Sequence, residues 1–161
     1  MEELKIEVYP HSRFEEVCNN DGYNDGNVEK IEDWAFIDII GTKECLKYYL
    51  DEEDTVHWFK ENHPNVLNLE FDDISGDELE YKGHIFKGLS KEQAQNAVDF
   101  IERNKDKNFR ICCRAGMSRS RAFAEYVCRL GAHQYPERNE YTTMLNYGVL
   151  KKLLDVKKEK Q

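Results

Sequence analysis

Eight residues, Cys113-Arg114-Ala115-Gly116-Met117-Ser118-Arg119-Ser120, leave the backbone on either side of them few choices. Ahead of them lies a short apolar run, Phe109 to Cys112, that reads as a strand. Behind them Ala122, Phe123, Tyr126, Val127 and Leu130 recur at helical spacing. The eight residues therefore form a loop from a strand into a helix N-terminus. Such a turn makes an anion site, because its backbone N–H groups point inward and the helix dipole adds positive potential. Gly116 supplies backbone angles that a tight loop needs. A cysteine at the mouth of the loop is expected to have a lowered pKa. An arginine brings a planar fork that fits two phosphate oxygens. Cys113 is thus a candidate nucleophile and Arg119 a candidate charge clamp, with Arg114, Ala115, Gly116, Met117 and Ser118 as the cradle between them.

The rest of the chain fits a layered α/β domain. Its 161 residues suffice for one domain with a real core. Strands are expected at Leu4–Tyr9, Trp34–Ile40, Val66–Phe71 and before the loop. Asp38 interrupts the second of these and needs a partner if buried. Helical patterns lie between them: one capped by Ser12 and carrying Phe14, Val17 and Cys18, and one capped by Thr42 with Cys45, Leu46, Tyr49 and Leu50 on one face. Ser90-Lys91-Glu92-Gln93 has the form of a capping box ahead of Ala94, Ala97, Val98 and Ile101. Gly131 is expected to stop the helix after the loop. A last helix is expected from about Glu137, with Leu145, Val149, Leu153 and Val156 on one face. Asn19–Asn27 reads as a polar loop, Asp51–Asp54 as a solvated acidic loop or a helix start, and Val56–Phe59 as a short aromatic helical segment. Asp72–Lys87 is too polar and irregular for a regular element and reads as a functional loop.

Charge and cysteine count narrow the partners. The net charge of −9 argues against nucleic acid and anionic membranes. Between Arg110 and Ala124, however, stand four arginines and no acid, which suits a small phosphorylated ligand. No apolar stretch reaches the length of a membrane span, and Met1–Lys5 is charged, unlike a signal peptide. Five cysteines without regular spacing fit a reducing cytoplasm better than a disulfide framework. No metal is expected: there is no Cys-x-x-Cys pair, and His57, His63, His84 and His133 lack ligand spacing. The Asn19–Asn27 loop lacks the order of carboxylates that calcium requires.

Cys113, Ala115, Gly116, Ser118, Arg119 and Ser120 match the form Cys-x-Ala-Gly-x-Ser-Arg-Ser. The chain thereby resembles the cysteine-dependent protein tyrosine phosphatases, and most of all their small dual-specificity branch of bacterial and phage type. The resemblance covers roughly Ala35 to Leu130, including Val66–Ile74, which is similar to the strand and acid-loop region of those enzymes. It implies one three-layer domain over residues 1–161, with a central, mostly parallel sheet of four to five strands and helices on both faces. It also implies hydrolysis of a phosphate monoester through a phosphocysteine, without a cofactor. The substrate would be phosphotyrosine in a protein or peptide, extending to phosphoserine, phosphothreonine or a small phosphate ester.

The resemblance puts the general acid just past Val66–Phe71, where Asp73 is the first choice. Asp72 is adjacent and not separable by chemistry alone, and Asp77 is a weaker third. Ser120 would donate a hydrogen bond to the sulfur; it could equally serve as a plain helix cap. Where the family carries a histidine before the nucleophile, this chain has Cys112. That leaves the loop without its usual brace, unless Cys112 merely fills the core behind it. Three other functions compete. A rhodanese-like sulfurtransferase has a similar loop but usually four residues between cysteine and arginine. A phosphoinositide or RNA 5′-phosphate hydrolase is another, although the loop lacks the lysines of phosphoinositide enzymes. The third is a catalytically weak protein that only binds phosphorylated ligands.

Overall fold

The computed structural model describes residues 3–49, 56–140 and 144–161. Five strands form one sheet: β1 (Leu4–Pro10), β2 (Trp34–Ile40), β3 (Val66–Glu70), β6 (Asn108–Cys113) and β7 (His133–Gln134). Their order is β3-β2-β6-β1-β7, and every neighbouring pair is parallel. A parallel sheet is covered on both faces, which is why β2 reads as an almost unbroken apolar run. The connecting helices are α1 (His11–Asn20), α2 (Lys43–Tyr49), α3 (Lys91–Arg103), α4 (Arg119–Arg129) and α5 (Tyr147–Glu159). The architecture is the three-layer α/β arrangement expected from the sequence.

Side-chain alternation assigns the two faces. Ile6, Val8, Ala35, Ile37, Ile39, Leu67, Leu69, Phe109, Ile111 and Cys113 form the front core with α3, α4 and α5. The intervening residues Phe36, Val66 and Cys112 point backward, where they meet Phe14 and Cys18 of α1 together with Val28 and Phe59. Phe36 is the hub of the back layer, with ring centroids 6.4 Å from Phe14, 5.8 Å from Tyr23 and 5.1 Å from Phe59. Burying each such ring contributes about 1.5–3 kcal/mol.

Several local expectations change. Helix α1 starts at His11 with Pro10 as its cap, so Ser12 lies inside it; proline's fixed φ suits the position before the first turn. Thr42 does cap α2, its Oγ1 accepting from Cys45 N at 3.4 Å; Leu50 and Asp51–Asp54 lie outside the described residues, as do the side chains of Leu46 and Tyr49. Val56–Phe59 is not helical. Its backbone is fixed from outside instead, with Trp58 N donating to Asp38 Oδ2 at 3.1 Å. Asp72–Lys87 contains an antiparallel hairpin, β4 (Glu78–Tyr81) and β5 (His84–Lys87). Its turn runs through Lys82 and Gly83, both at positive φ. Helix α5 begins at Tyr147 rather than near Glu137, and Leu145 is buried ahead of it. The capping box at Ser90–Gln93 forms with both of its bonds, and Gly131 follows α4 at φ +98. Among the described residues no helix is long and apolar enough to cross a membrane. All five cysteines are free thiols.

Candidate active site

The loop Cys113–Ser118 closes the C-terminal end of the central strand β6 and passes into α4 at Arg119. Gly116 makes this closure possible. Its φ is +67, and a Cβ on it would lie 2.5 Å from Pro10 N and 2.6 Å from the Tyr9 carbonyl carbon. Only a residue without a side chain lets the loop rest on the end of β1. Two further bonds hold the loop from behind. His11 N donates to Arg114 O at 3.2 Å, and Arg121 Nε donates to Gly116 O at 3.0 Å.

Around Cys113 the sequence-predicted residues come together. Its Sγ is 3.1 Å from Ser120 Oγ. Burial opposes ionisation of this thiol. The Arg119 guanidinium, the Ser120 hydroxyl and the backbone N–H groups of Ser120 and Ser118 outweigh that cost and hold its pKa below the ordinary value. Arg119 is buried; its Nη1 donates to Phe71 O at 2.7 Å, whereas its Nε is hidden and has no hydrogen-bond partner. A buried guanidinium N–H without a partner costs free energy, and an anion held in the loop would satisfy it.

The two adjacent aspartates both line the cleft but differ in burial and partners. Asp72 is buried and accepts from Thr42 N (2.9 Å), Thr42 Oγ1 (2.7 Å) and Lys87 N (2.8 Å). It joins the hairpin to the loop after β2 through three accepted hydrogen bonds. Asp73 is exposed on the cleft, and its Oδ1 accepts from Ser118 Oγ and Asn146 Nδ2, both at 2.8 Å. Asp77 turns away to Lys152 Nζ at 2.9 Å.

A cleft of about 570 Å³ opens over the loop. Cys113, Arg114, Ala115, Met117, Ser118 and Arg119 form its floor, and Asp73 stands at its edge. The apolar wall comes from Tyr48 of α2 and from Leu79, Tyr81 and Phe86 of the hairpin. Tyr48 packs edge-on against both Tyr81 and Phe86, at 5.9 and 5.5 Å. Cys45 also lines the cleft, but burial and the Asp72 carboxylate push it up to about 11.

The cluster of four arginines divides. Arg119 and Arg114 line the cleft. Arg110 projects backward to Glu7 and Asp21, both at 3.1 Å, and stacks on Trp34 at 4.6 Å. Arg121 lies behind the loop with Tyr135 and Glu137. A strand and a helix each distribute successive residues to different sides, so a run in sequence is not a patch in space. Cys112 faces away from the cleft, its Sγ 3.2 Å from Asp38 Oδ1.

Asn146 was not among the expected site residues. Its Oδ1 accepts from Val149 N and caps α5, while its Nδ2 reaches Asp73 and Ile74 O and its N donates to Ser118 O. The available signal was an asparagine before a helical pattern, obscured by the earlier helix start near Glu137. Gly148 in the first turn of α5 lets the segment around Ser75 approach, since a Cβ there would lie 2.5 Å from Ser75 O. No family model, curated protein or solved structure matches the chain.

Proposed function

We propose that the protein is a cysteine-dependent phosphatase that hydrolyses aryl phosphate monoesters, with phosphotyrosine in a protein or peptide as the substrate class. One observation carries this reading: a thiol with a lowered pKa, a buried guanidinium N–H without a partner and a cleft-facing carboxylate share one pocket. The loop amides and Arg119 bind the phosphate oxygens. The Cys113 thiolate attacks phosphorus in line while Asp73 protonates the leaving oxygen, giving a phosphocysteine. Asp73 then takes a proton from water, which attacks phosphorus and releases phosphate. Ser120 donates to the departing sulfur and steadies its charge. Splitting the displacement in two lowers each barrier, and the positioned acid contributes about 10²–10⁴-fold.

The apolar wall supports an aromatic ester over a short aliphatic one. Tyr48, Tyr81, Leu79 and Phe86 give a phenyl ring surface to pack on. The same cleft admits phosphoserine and phosphothreonine with fewer contacts. The test is hydrolysis of a generic aryl phosphate, of a phosphotyrosyl peptide and of its phosphoseryl counterpart. A burst of phenol matching the enzyme concentration is expected, with the phosphotyrosyl peptide preferred. Equal activity of wild type and Cys113→Ser would overturn the assignment. Sulfur transfer from thiosulfate in the absence of phosphatase activity would replace it with the rhodanese-like reading.

A further inference from the structure

Behind the loop, on the sheet face away from the cleft, four side chains converge from four separate segments. His11 opens α1, Asp38 lies on β2, Cys112 on β6 and His57 on the chain before β3. Asp38 is central and fully buried. Cys112 Sγ is 3.2 Å from its Oδ1, and His11 Nε2 is 3.4 Å from the same oxygen. His57 Nδ1 is 3.4 Å from Oδ2; this nitrogen is shielded from solvent and makes no hydrogen bond. Donor atoms of His11, Asp38 and Cys112 all lie within 4.8 Å of one another.

We propose that His11, Asp38 and Cys112, with His57 as the fourth ligand, form a binding site for a divalent transition metal ion, zinc before others. The donor set is nitrogen, oxygen and sulfur, which suits zinc and excludes the oxygen-rich shells of calcium and magnesium. Zinc bonds of about 2.0–2.3 Å place neighbouring tetrahedral ligands roughly 3.3–3.7 Å apart. Cys112 and His11 stand 3.2 and 3.4 Å from one Asp38 oxygen, at or just below that range; His57 faces the other oxygen at 3.4 Å, outside the group of three, and turns inward on binding. The outer contacts are those that orient ligands. His11 Nδ1 is 3.4 Å from Glu15 Oε1, which turns Nε2 inward, and Trp58 N donates to Asp38 Oδ2 at 3.1 Å. Charge balances as well. An aspartate and a thiolate neutralise one divalent cation, so a buried site carries no net charge. On binding, the Cys112 thiol releases its proton to solvent and its sulfur bonds the metal.

The location gives the ion a structural consequence. It would join the start of α1 to β2 and β6 directly beneath the loop that His11 N already holds at Arg114 O. No sequence motif announces the site, because positions 11, 38, 57 and 112 meet only once the parallel sheet has formed. The inference does not depend on the phosphatase reading of the front cleft.

The test uses the full chain dialysed into metal-free buffer, then titrated with Zn²⁺ against a chromophoric chelator of micromolar affinity. One ion per chain is expected. With Co²⁺ as a spectroscopic probe, a sulfur-to-metal absorption should appear in the near ultraviolet. Cys112→Ser should abolish that band, whereas Cys113→Ser should keep it. His57→Gln, at the edge of the cluster, should weaken Zn²⁺ binding by about 10-fold or more with an unchanged circular dichroism spectrum. If Cys112→Ser fails to fold, the wild-type band and His57→Gln decide. A wild type that leaves all Zn²⁺ with the chelator would overturn the proposal, as would a Co²⁺ band that survives in folded Cys112→Ser. The cluster would then be a hydrogen-bonded carboxylate–imidazole network.

Discussion

Cys112 and Cys113 are covalent neighbours, both shielded from solvent, and their thiols are driven in opposite directions. Burial opposes ionisation of each. For Cys112 the Asp38 carboxylate adds to that effect, and the thiol rises well above its ordinary value. For Cys113 the Arg119 guanidinium, the Ser120 hydroxyl and two backbone N–H groups reverse it. Strand alternation sends one side chain to each face of β6, so a single peptide bond separates a thiol facing a guanidinium from one facing a carboxylate. Burial sets the cost of ionisation; the fixed charges and dipoles nearby set its sign.

The sharpest break of this comparison is at the thiols. Cys113→Ser should reduce aryl phosphate turnover by about 10⁵-fold or more, as expected when a nucleophile is lost. Iodoacetate should inactivate the wild type increasingly as pH rises, with a midpoint below the ordinary thiol value of 9.0, and inorganic phosphate should protect it. Labelling of Cys112 in preference to Cys113 would invert the assignment of faces.

The arginines offer a second pairing. Arg119→Ala should lower kcat/KM by about 10³-fold or more and weaken phosphate binding, as a lost charge clamp does. Arg110→Ala should leave phosphate affinity alone. Its cost should be stability, about 2–4 kcal/mol by chemical denaturation, because it strips the partner from Glu7 and the stack from Trp34. A phosphate-binding defect in Arg110→Ala would show that the back face reaches the cleft.

The aspartates extend the contrast between chemistry and scaffold. Asp73→Asn should slow hydrolysis of a poor leaving group by about 10²–10⁴-fold, and much less for an activated phenol. Asp72→Asn should instead cost about 1–3 kcal/mol of stability, since three donors lose a charged acceptor. If Asp72→Asn alone shows the leaving-group dependence, the acid is Asp72.

The smallest expected effect lies on α4, where a carboxylate repeats the logic of Cys113. Burial raises the Glu125 pKa, but hydrogen bonds from Arg138 and Arg129 bring it below its ordinary 4.5. The folded value is the depressed one, so this contribution is present above about pH 4.5 and is lost as pH falls through the folded value. Glu125→Gln should therefore lower Tm at neutral pH by a few degrees and by less in acid. A Tm deficit that grows on acidification would contradict this.

The sequence alone settled much of what depends on neighbours along the chain, although it misplaced the starts of α1 and α5 and did not show the β4–β5 hairpin. The loop, its glycine, the strand before it and the helix after it all follow from local periodicity and one short motif. The buried run Trp34–Ile40, the Ser90 capping box and the stop at Gly131 were legible for the same reason. Tertiary structure decided whatever depends on neighbours across the sheet. It gave Asp72 and Asp73 different partners, Thr42 and Lys87 N for the first and Ser118 and Asn146 for the second. It brought Asn146 to Asp73 from 73 residues away. It split four clustered arginines between two faces and the interior. It gave the Val56–Phe59 segment its conformation through an external carboxylate rather than through helix propensity. Hydrogen-bond capacity and side-chain direction are spent on partners that a one-dimensional pattern does not name. His11, Asp38, His57 and Cys112 were therefore visible in the sequence as four unrelated residues and in the fold as one cluster.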